Sequence, residues 1–153
     1  MNTKKMHNFS YFFLEILDTA GQEEYVVMQD HWIREGKGFI VVYAVDLIES
    51  FEEVSKIRKR IERVKDTKDF PMIIVGNKCD LVNERKVFKE AGEDLAKQYN
   101  CLFLETSAKK KINCTEVFHE LVKEIRKKEK KNHNFKEEKK SFWKELKSLC
   151  NLI

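Results

Sequence analysis

The chain has 153 residues, and among them are one proline and five glycines. The glycines stand at 21, 36, 38, 76 and 92, and none falls into G-x-x-x-x-G-K-[ST]. That motif builds the loop whose backbone N–H groups and lysine cradle phosphates. Gly36-Lys37-Gly38 comes nearest, but it lacks the hydroxyl residue and the upstream glycine. Long apolar runs are missing too. The longest, Phe39 to Val45, is strand-sized and far short of the ~20 residues that span a bilayer. Four cysteines (79, 101, 114, 150) include no C-x-x-C pair, and four histidines (7, 31, 119, 133) form no ligand cluster. This argues against a zinc site, a dithiol redox centre and a disulfide framework, and a reducing compartment is expected. Lys4 and Lys5 before Phe9 to Leu17 give a superficial likeness to a secretory signal. Glu15 interrupts that apolar stretch, no small-residue cleavage site follows, and the signal reading is set aside.

What is present fits one domain with a core. Apolar residues make up 42% and charged residues 37%, of mixed sign. The net charge of +4 is unevenly placed. Residues 127–153 hold nine lysines against four glutamates, so the first 126 residues are close to neutral at −1. The basicity belongs to the C-terminal tail. A nucleic-acid-binding core is not expected, and a partner that touches the tail is. We therefore divide the chain at 1–126 and 127–153.

Four nearly continuous apolar runs read as buried strands: Tyr11–Leu17, Phe39–Val45, Met72–Gly76 and Cys101–Glu105. Continuity rather than alternation suits a parallel sheet covered on both faces. Helices are expected between them. Ser50 with Glu53 forms a capping-box pattern, followed by Phe51, Val54, Ile57, Ile61 and Val64 at helical spacing. A second helix carries Phe88, Ala91, Leu95, Ala96 and Tyr99. A third starts near Asn113 and buries Val117, Phe118, Leu121, Val122 and Ile125. Alternating strands and helices specify an α/β doubly wound domain, whose ligands bind beyond the carboxyl ends of the strands. From Arg126 onward a lysine-rich tail, open to being part helix and not core, carries Phe135, Phe142, Trp143, Leu146 and Leu149.

Three motifs stand at those strand ends. They are Asp18-Thr19-Ala20-Gly21-Gln22-Glu23-Glu24-Tyr25, Asn77-Lys78-Cys79-Asp80 and Thr106-Ser107-Ala108-Lys109. From about Phe12 to Lys127 the chain resembles the Ras family of small GTPases, and its Ras branch in particular because the octapeptide is intact. The resemblance implies a P-loop-NTPase-like, mainly parallel doubly wound sheet. It implies GTP or GDP as ligand and Mg²⁺ as metal. Exchange factors, GTPase-activating proteins and effectors are the implied partners.

The same resemblance assigns roles. Asp80 would accept the guanine ring N–H and exocyclic amine, a donor pair adenine lacks. Asn77 would support the loop and the base, and the Lys78 stem would lie on the ring face. Ala108 would offer its backbone N–H to the guanine carbonyl, with Ser107 and Lys109 shaping that loop. Asp18 would help hold Mg²⁺, through water. The Gly21 backbone would approach the γ-phosphate, and Gln22 would orient the attacking water.

Residues 1–10 stand where the family has its first strand, phosphate loop, first helix, first switch and most of its second strand, and they show no resemblance. We expect an N-terminally truncated copy that lacks the first strand and first helix, with impaired GTP hydrolysis. The absent strand would lie between Tyr11–Leu17 and Phe39–Val45. Those two edges must close on each other, recruit another segment or stay exposed. The alternatives are a non-catalytic membrane-anchored interaction module and a product with no role.

Cys150-Asn151-Leu152-Ile153 resembles a C-a-a-X prenylation box, with polar Asn151 departing from the pattern. One lipid chain binds membranes marginally, and the lysines at 127–147 supply a second, electrostatic signal toward an anionic membrane. Attachment to the cytoplasmic face of the plasma membrane or an endomembrane is expected.

Overall fold

The computed structural model describes the backbone of residues 15–17 and 26–150, and the side chains of 15–17 and 30–133. Its elements run α1 (Val26–Glu35), β1 (Phe39–Ala44), α2 (Ile48–Lys65), β2 (Met72–Asn77), a 3₁₀ turn (Val82–Glu84), α3 (Lys89–Tyr99), β3 (Leu102–Glu105) and α4 (Cys114–Cys150). The three strands form one parallel sheet in the order β1-β2-β3. Phe39 stands opposite Met72, and Ile73 opposite Leu102. Three of the four expected strands are therefore in place within a residue of their predicted ends. Of Tyr11–Leu17, residues 11–14 lie outside the described residues, and Glu15 to Leu17 are not in a strand.

Two apolar layers sandwich the sheet. On one face Val41, Tyr43, Val45, Met72 and Ile74 meet Val54 and Ile61 of α2 and Ala96 of α3, with Ile33 of α1 packed alongside. On the other, Ile73 and Val75 meet Val117 and Leu121 of α4, flanked by Ile40, Leu104 and Ile125. β2 is buried on both faces, which is why Met72-Ile73-Ile74-Val75 reads as a continuous apolar run. This is the doubly wound α/β arrangement expected from the sequence. Among the described residues no helix is long and apolar enough to cross a membrane.

Several local expectations are corrected. Ser50 is not an N-cap. α2 starts at Ile48 with Leu47 at its cap position, which makes no side-chain capping bond. The Ser50 hydroxyl instead lies 2.6 Å from Leu47 O and accepts the Ala44 N–H at 3.0 Å. It closes the turn from β1 into α2 rather than serving a helix end two residues later. Phe88 stands at the cap position before α3 and is 67% exposed, Ala91 is exposed as well, and the buried residues of that helix are Gly92 and Ala96. α1 was not foreseen. α4 continues as helix through the lysine-rich tail to Cys150. α2 and α3 end on Asp66 and Asn100 in the left-handed region, at φ 51° and 52°. The N–H of Asn100 returns to the carbonyls of Ala96 and Lys97.

Two core groups yield measurable expectations. Tyr43 is 1% exposed, and its hydroxyl is buried with no hydrogen-bond partner among the described residues. Its ring meets Phe51 edge-on at 4.9 Å. An unsatisfied buried hydroxyl costs free energy that phenylalanine does not incur. Tyr43→Phe should leave the urea-unfolding free energy unchanged or raise it by about 1 kcal/mol. A loss of similar size would mean the hydroxyl has found a partner.

Cys101 packs against the same core, and burial pushes its thiol up to about 11 from an ordinary value of 9.0. The unfolded chain sheds this proton first, so this group weakens folding as pH rises from about 9 toward about 11. At pH 8.5 its alkylation should be roughly 100-fold slower in the native chain than in urea, because thiolate is the reactive form. Peptide-resolved iodoacetamide kinetics would measure this, and equal rates in the two states would refute it.

Candidate functional site

β2 delivers Asn77 at its carboxyl end and β3 delivers Thr106 and Ser107 just beyond its own. The parallel register of the two strands therefore brings the second and third motifs side by side. Their loops are stitched together at several points. Thr106 N–H donates to Gly76 O at 2.9 Å, and Cys79 N–H to Thr106 O at 3.0 Å. The Asn77 side-chain oxygen accepts from Thr106 Oγ1 at 3.1 Å and from the Ala108 N–H at 3.3 Å. Ser107 is fully buried. Its hydroxyl donates to Asp80 Oδ1 and accepts the Lys110 N–H at 3.0 Å. The Ser107 backbone also exchanges both hydrogen bonds with Ile112, which folds residues 107–112 into a tight loop.

This network fixes the Asp80 carboxylate. The Ser107 hydroxyl holds it below the ordinary carboxylate range, and Lys109 and Lys110 add to the effect. Asp80 is thus an anion at neutral pH with one oxygen pinned. No other side chain among the described residues bonds this carboxylate, and its own backbone N–H adds to the lowering. Lys78 adopts φ 64°, a left-handed turn that lets the chain double back directly after β2. Its ammonium reaches Asp46, just beyond β1, at 2.8 Å. That contact keeps the Asp46 carboxyl below its usual range.

The structure brings together six of the residues singled out in the sequence: Asn77, Lys78, Asp80, Ser107, Ala108 and Lys109. Asp18, Gly21 and Gln22 lie outside the described residues. Cys150 is the last residue of α4, far along the helix from this cluster, and its side chain is not described. No group of three or more His, Cys, Asp or Glu that could hold a metal occurs among the described residues.

Four residues were given no role from the sequence. Asp46 orients Lys78. Thr106 fixes the Asn77 amide. Arg85 and Glu105 form a two-pronged ion pair at 2.6 and 3.2 Å, with side chains only 15% and 16% exposed. That pair clamps the segment after Asp80 to the strand that leads into Ser107. Asp46 offered a faint signal, as an acid directly after a buried strand. The clamp offered none.

A parallel α/β sheet with polar loops gathered at its carboxyl ends is the architecture of a nucleotide-binding class. A family model described as the Ras family matches residues 2–127. The chain belongs to the Ras family. It is 53% identical over 113 residues to "Ras-like protein 2" of Mucor circinelloides f. lusitanicus, covering 74% of this chain and 57% of that protein. It is 51% identical over 121 residues to "Ras-like protein" of Laccaria bicolor, covering 79% of this chain and 58% of the relative. The chain therefore spans less than two thirds of the length of these curated relatives.

Proposed function

We propose that this chain carries the base-reading half of a Ras-type guanine-nucleotide site. The observation that carries this reading is the Asp80 carboxylate, pinned through one oxygen by buried Ser107 and bonded by no other side chain among the described residues. A carboxylate held this way suits two adjacent N–H donors on a planar ring, and guanine offers that pair where adenine does not. Asn77 and Ala108 border the base, the Lys78 stem covers its face, and Lys109 shapes the rim. Ala108 N–H has a long bond to Asn77 and is available to turn toward a guanine carbonyl. GTP, when bound, supplies the phosphoanhydride that the family hydrolyses with Mg²⁺. Asp18, Gly21 and Gln22 are assigned the metal-linked, phosphate-facing and water-orienting roles by family pattern alone.

Residues 1–153 contain no phosphate-loop motif, the part that supplies backbone N–H groups and a lysine to phosphates. In equilibrium titrations with labelled nucleotides we expect GDP to bind more weakly than about 1 μM. Guanosine should still be preferred over adenosine, and Asp80→Ala should abolish the preference. Mg²⁺-dependent binding tighter than that would overturn the impairment, and indifference to the base would overturn the site. Exchange factors, activating proteins and effectors are partners by family pattern, and the weak GDP binding expected in that titration would favour the interaction module.

Membrane attachment rests on the C-terminal residues. Cys150 is the lipid acceptor, and the lysines at 127–147 add roughly 1 kcal/mol each near an anionic surface. The cytoplasmic face of the plasma membrane or an endomembrane is the location this gives. Cys150→Ser should release most of the protein from membranes in fractionated cells, while lysine-to-glutamine changes should weaken sedimentation with phosphatidylserine vesicles in a salt-dependent way. Unchanged fractionation of the serine variant would sink the lipid assignment.

A further inference from the structure

β3 lies on the far side of β2 from β1, and its outer edge has no partner strand among the described residues. The peptide between Glu105 and Thr106 sits on that edge. Its N–H, on Thr106, donates inward to Gly76 O at 2.9 Å. A trans peptide aims its carbonyl the opposite way, so Glu105 O turns outward, away from β2. The Asn113 side chain meets it there, its Nδ2–H donating to Glu105 O at 2.8 Å in a half-buried setting. This one peptide is therefore held from both sides. It stands directly before Thr106, which fixes Asn77, and Ser107, which pins Asp80.

Asn113 is also the joint between this loop and α4. Its backbone is left-handed, at φ 54°, and Lys111 stands shortly before it at 55°. The Asn113 carbonyl accepts the Val117 N–H at 3.3 Å, in the first turn of α4. Val117 is buried against Ile73 and Val75 of β2. Between these points the Ser107–Ile112 bridge closes the loop that carries Ala108 and Lys109. One residue thus ties the loop to the strand that enters it and to the helix that leaves it. The position asks for two properties at once. Its φ favours glycine, asparagine or aspartate. The outward carbonyl asks for a side-chain donor, which glycine and ionised aspartate lack. Asparagine meets both demands.

We propose that Asn113 is a positioning residue for base reading: its side-chain amide, bonded to the outward Glu105 carbonyl, sets Ser107 where its hydroxyl holds Asp80. The inference rests on the guanine-reading function proposed above. Asn113 acts through the backbone rather than by meeting the base. The Arg85 pair holds the Glu105 side chain and leaves its carbonyl to Asn113. Without that bond the peptide is restrained on its inner side alone. Its rotation carries the Ser107 hydroxyl off the Asp80 carboxylate.

The test is NMR on the isotope-labelled full chain, with Asn113→Gly and Asn113→Asp as paired variants. Glycine keeps the φ and removes the amide. Aspartate keeps the φ and puts an acceptor where the donor stood. In the parent chain one Asn113 side-chain proton should exchange at least ~10-fold more slowly than in an unstructured chain. In both variants the Asp80 carboxyl should titrate nearer the ordinary carboxylate range than in the parent, because Ser107 no longer holds it while Lys109 and Lys110 act as before. Ile74 and Val75 amides should stay protected, which separates a displaced Ser107 from lost folding. In titrations with GDP and ADP the guanine-over-adenine ratio should fall at least ~5-fold in both variants. Free exchange of the parent side-chain amide overturns the proposal, and so does an Asp80 titration that stays put. A change confined to one variant does the same. Glycine alone unaffected would leave the aspartate charge as the cause, and aspartate alone unaffected would show that no donor is needed. The two failures are distinct. A parent chain indifferent to the base defeats the guanine reading and this proposal with it, whereas a parent that prefers guanine beside variants that keep the full ratio defeats the proposal alone.

Discussion

Replacing Glu105 with alanine is expected to lower the unfolding free energy by about 2–3 kcal/mol, read from urea melts of the full chain. The reason is the partner left behind. Arg85 is mostly shielded, and its guanidinium would keep only the Val87 carbonyl, at 3.1 Å. Stranding one member of a shielded ion pair is more damaging than removing both, because the charge stays desolvated without compensation. Arg85→Met combined with Glu105→Leu should therefore recover much of the loss, and a double-mutant cycle gives the coupling directly. The effect should also reach the site. With the clamp gone, the loop holding Asp80 and the one holding Ser107 are joined only by their own short hydrogen bonds. Hydrogen exchange at residues 79–81 and 107–110 should rise more than in α2. A stability loss below about 0.5 kcal/mol would show that the pair behaves as an ordinary surface contact.

Gly92→Ala is expected to cost about 2 kcal/mol, against the sign that helix propensity predicts. Alanine in a helix interior gains roughly 1 kcal/mol over glycine when nothing opposes it. Here a Cβ on residue 92 would lie 2.5 Å from two ring carbons of Phe103 and 2.7 Å from the Tyr43 hydroxyl. Both are core side chains with little room to withdraw, and overpacking of this kind costs up to about 3 kcal/mol. α3 would have to lift from β3. Adding Phe103→Leu to Gly92→Ala should restore part of the loss by clearing the ring. A stabilised single variant would mean that α3 shifts freely.

The strands were legible because an unbroken apolar run of four to seven residues, too short for a helix with a polar side, fits little but a covered strand. β2, buried on both faces, shows the run at its purest. The loops at Asn77 and Thr106 were legible because their residue types stand at a fixed separation and fall at strand ends. The pairs Lys78–Asp46 and Arg85–Glu105 were not, because they span 32 and 20 residues and depend on which strands become neighbours. Ser50 misled for a local reason. A serine three residues before a glutamate fits a capping box, yet here the more pressing need was the outward-facing Ala44 N–H. α1 escaped because Val26-Val27-Met28 follows a loop motif directly, with no capping residue to announce a helix. The tail was read by composition, which registered its charge. The abundance of lysine and glutamate, both good helix formers, equally favours continuing the helix.

The length of α4 turns the C-terminus into a ruler. Lys37 bonds Glu129 at 3.1 Å, so the helix is still moored to the body at that point. From there to Cys150 an α-helix rises about 32 Å. A flexible linker of equal residue count would reach a similar average distance while sampling all directions. A rod instead couples orientation to attachment: a tether at its tip would restrict which face of the sheet looks toward the surface, and tilting the rod would swing the Asp80 end of the body through an arc instead of letting it tumble.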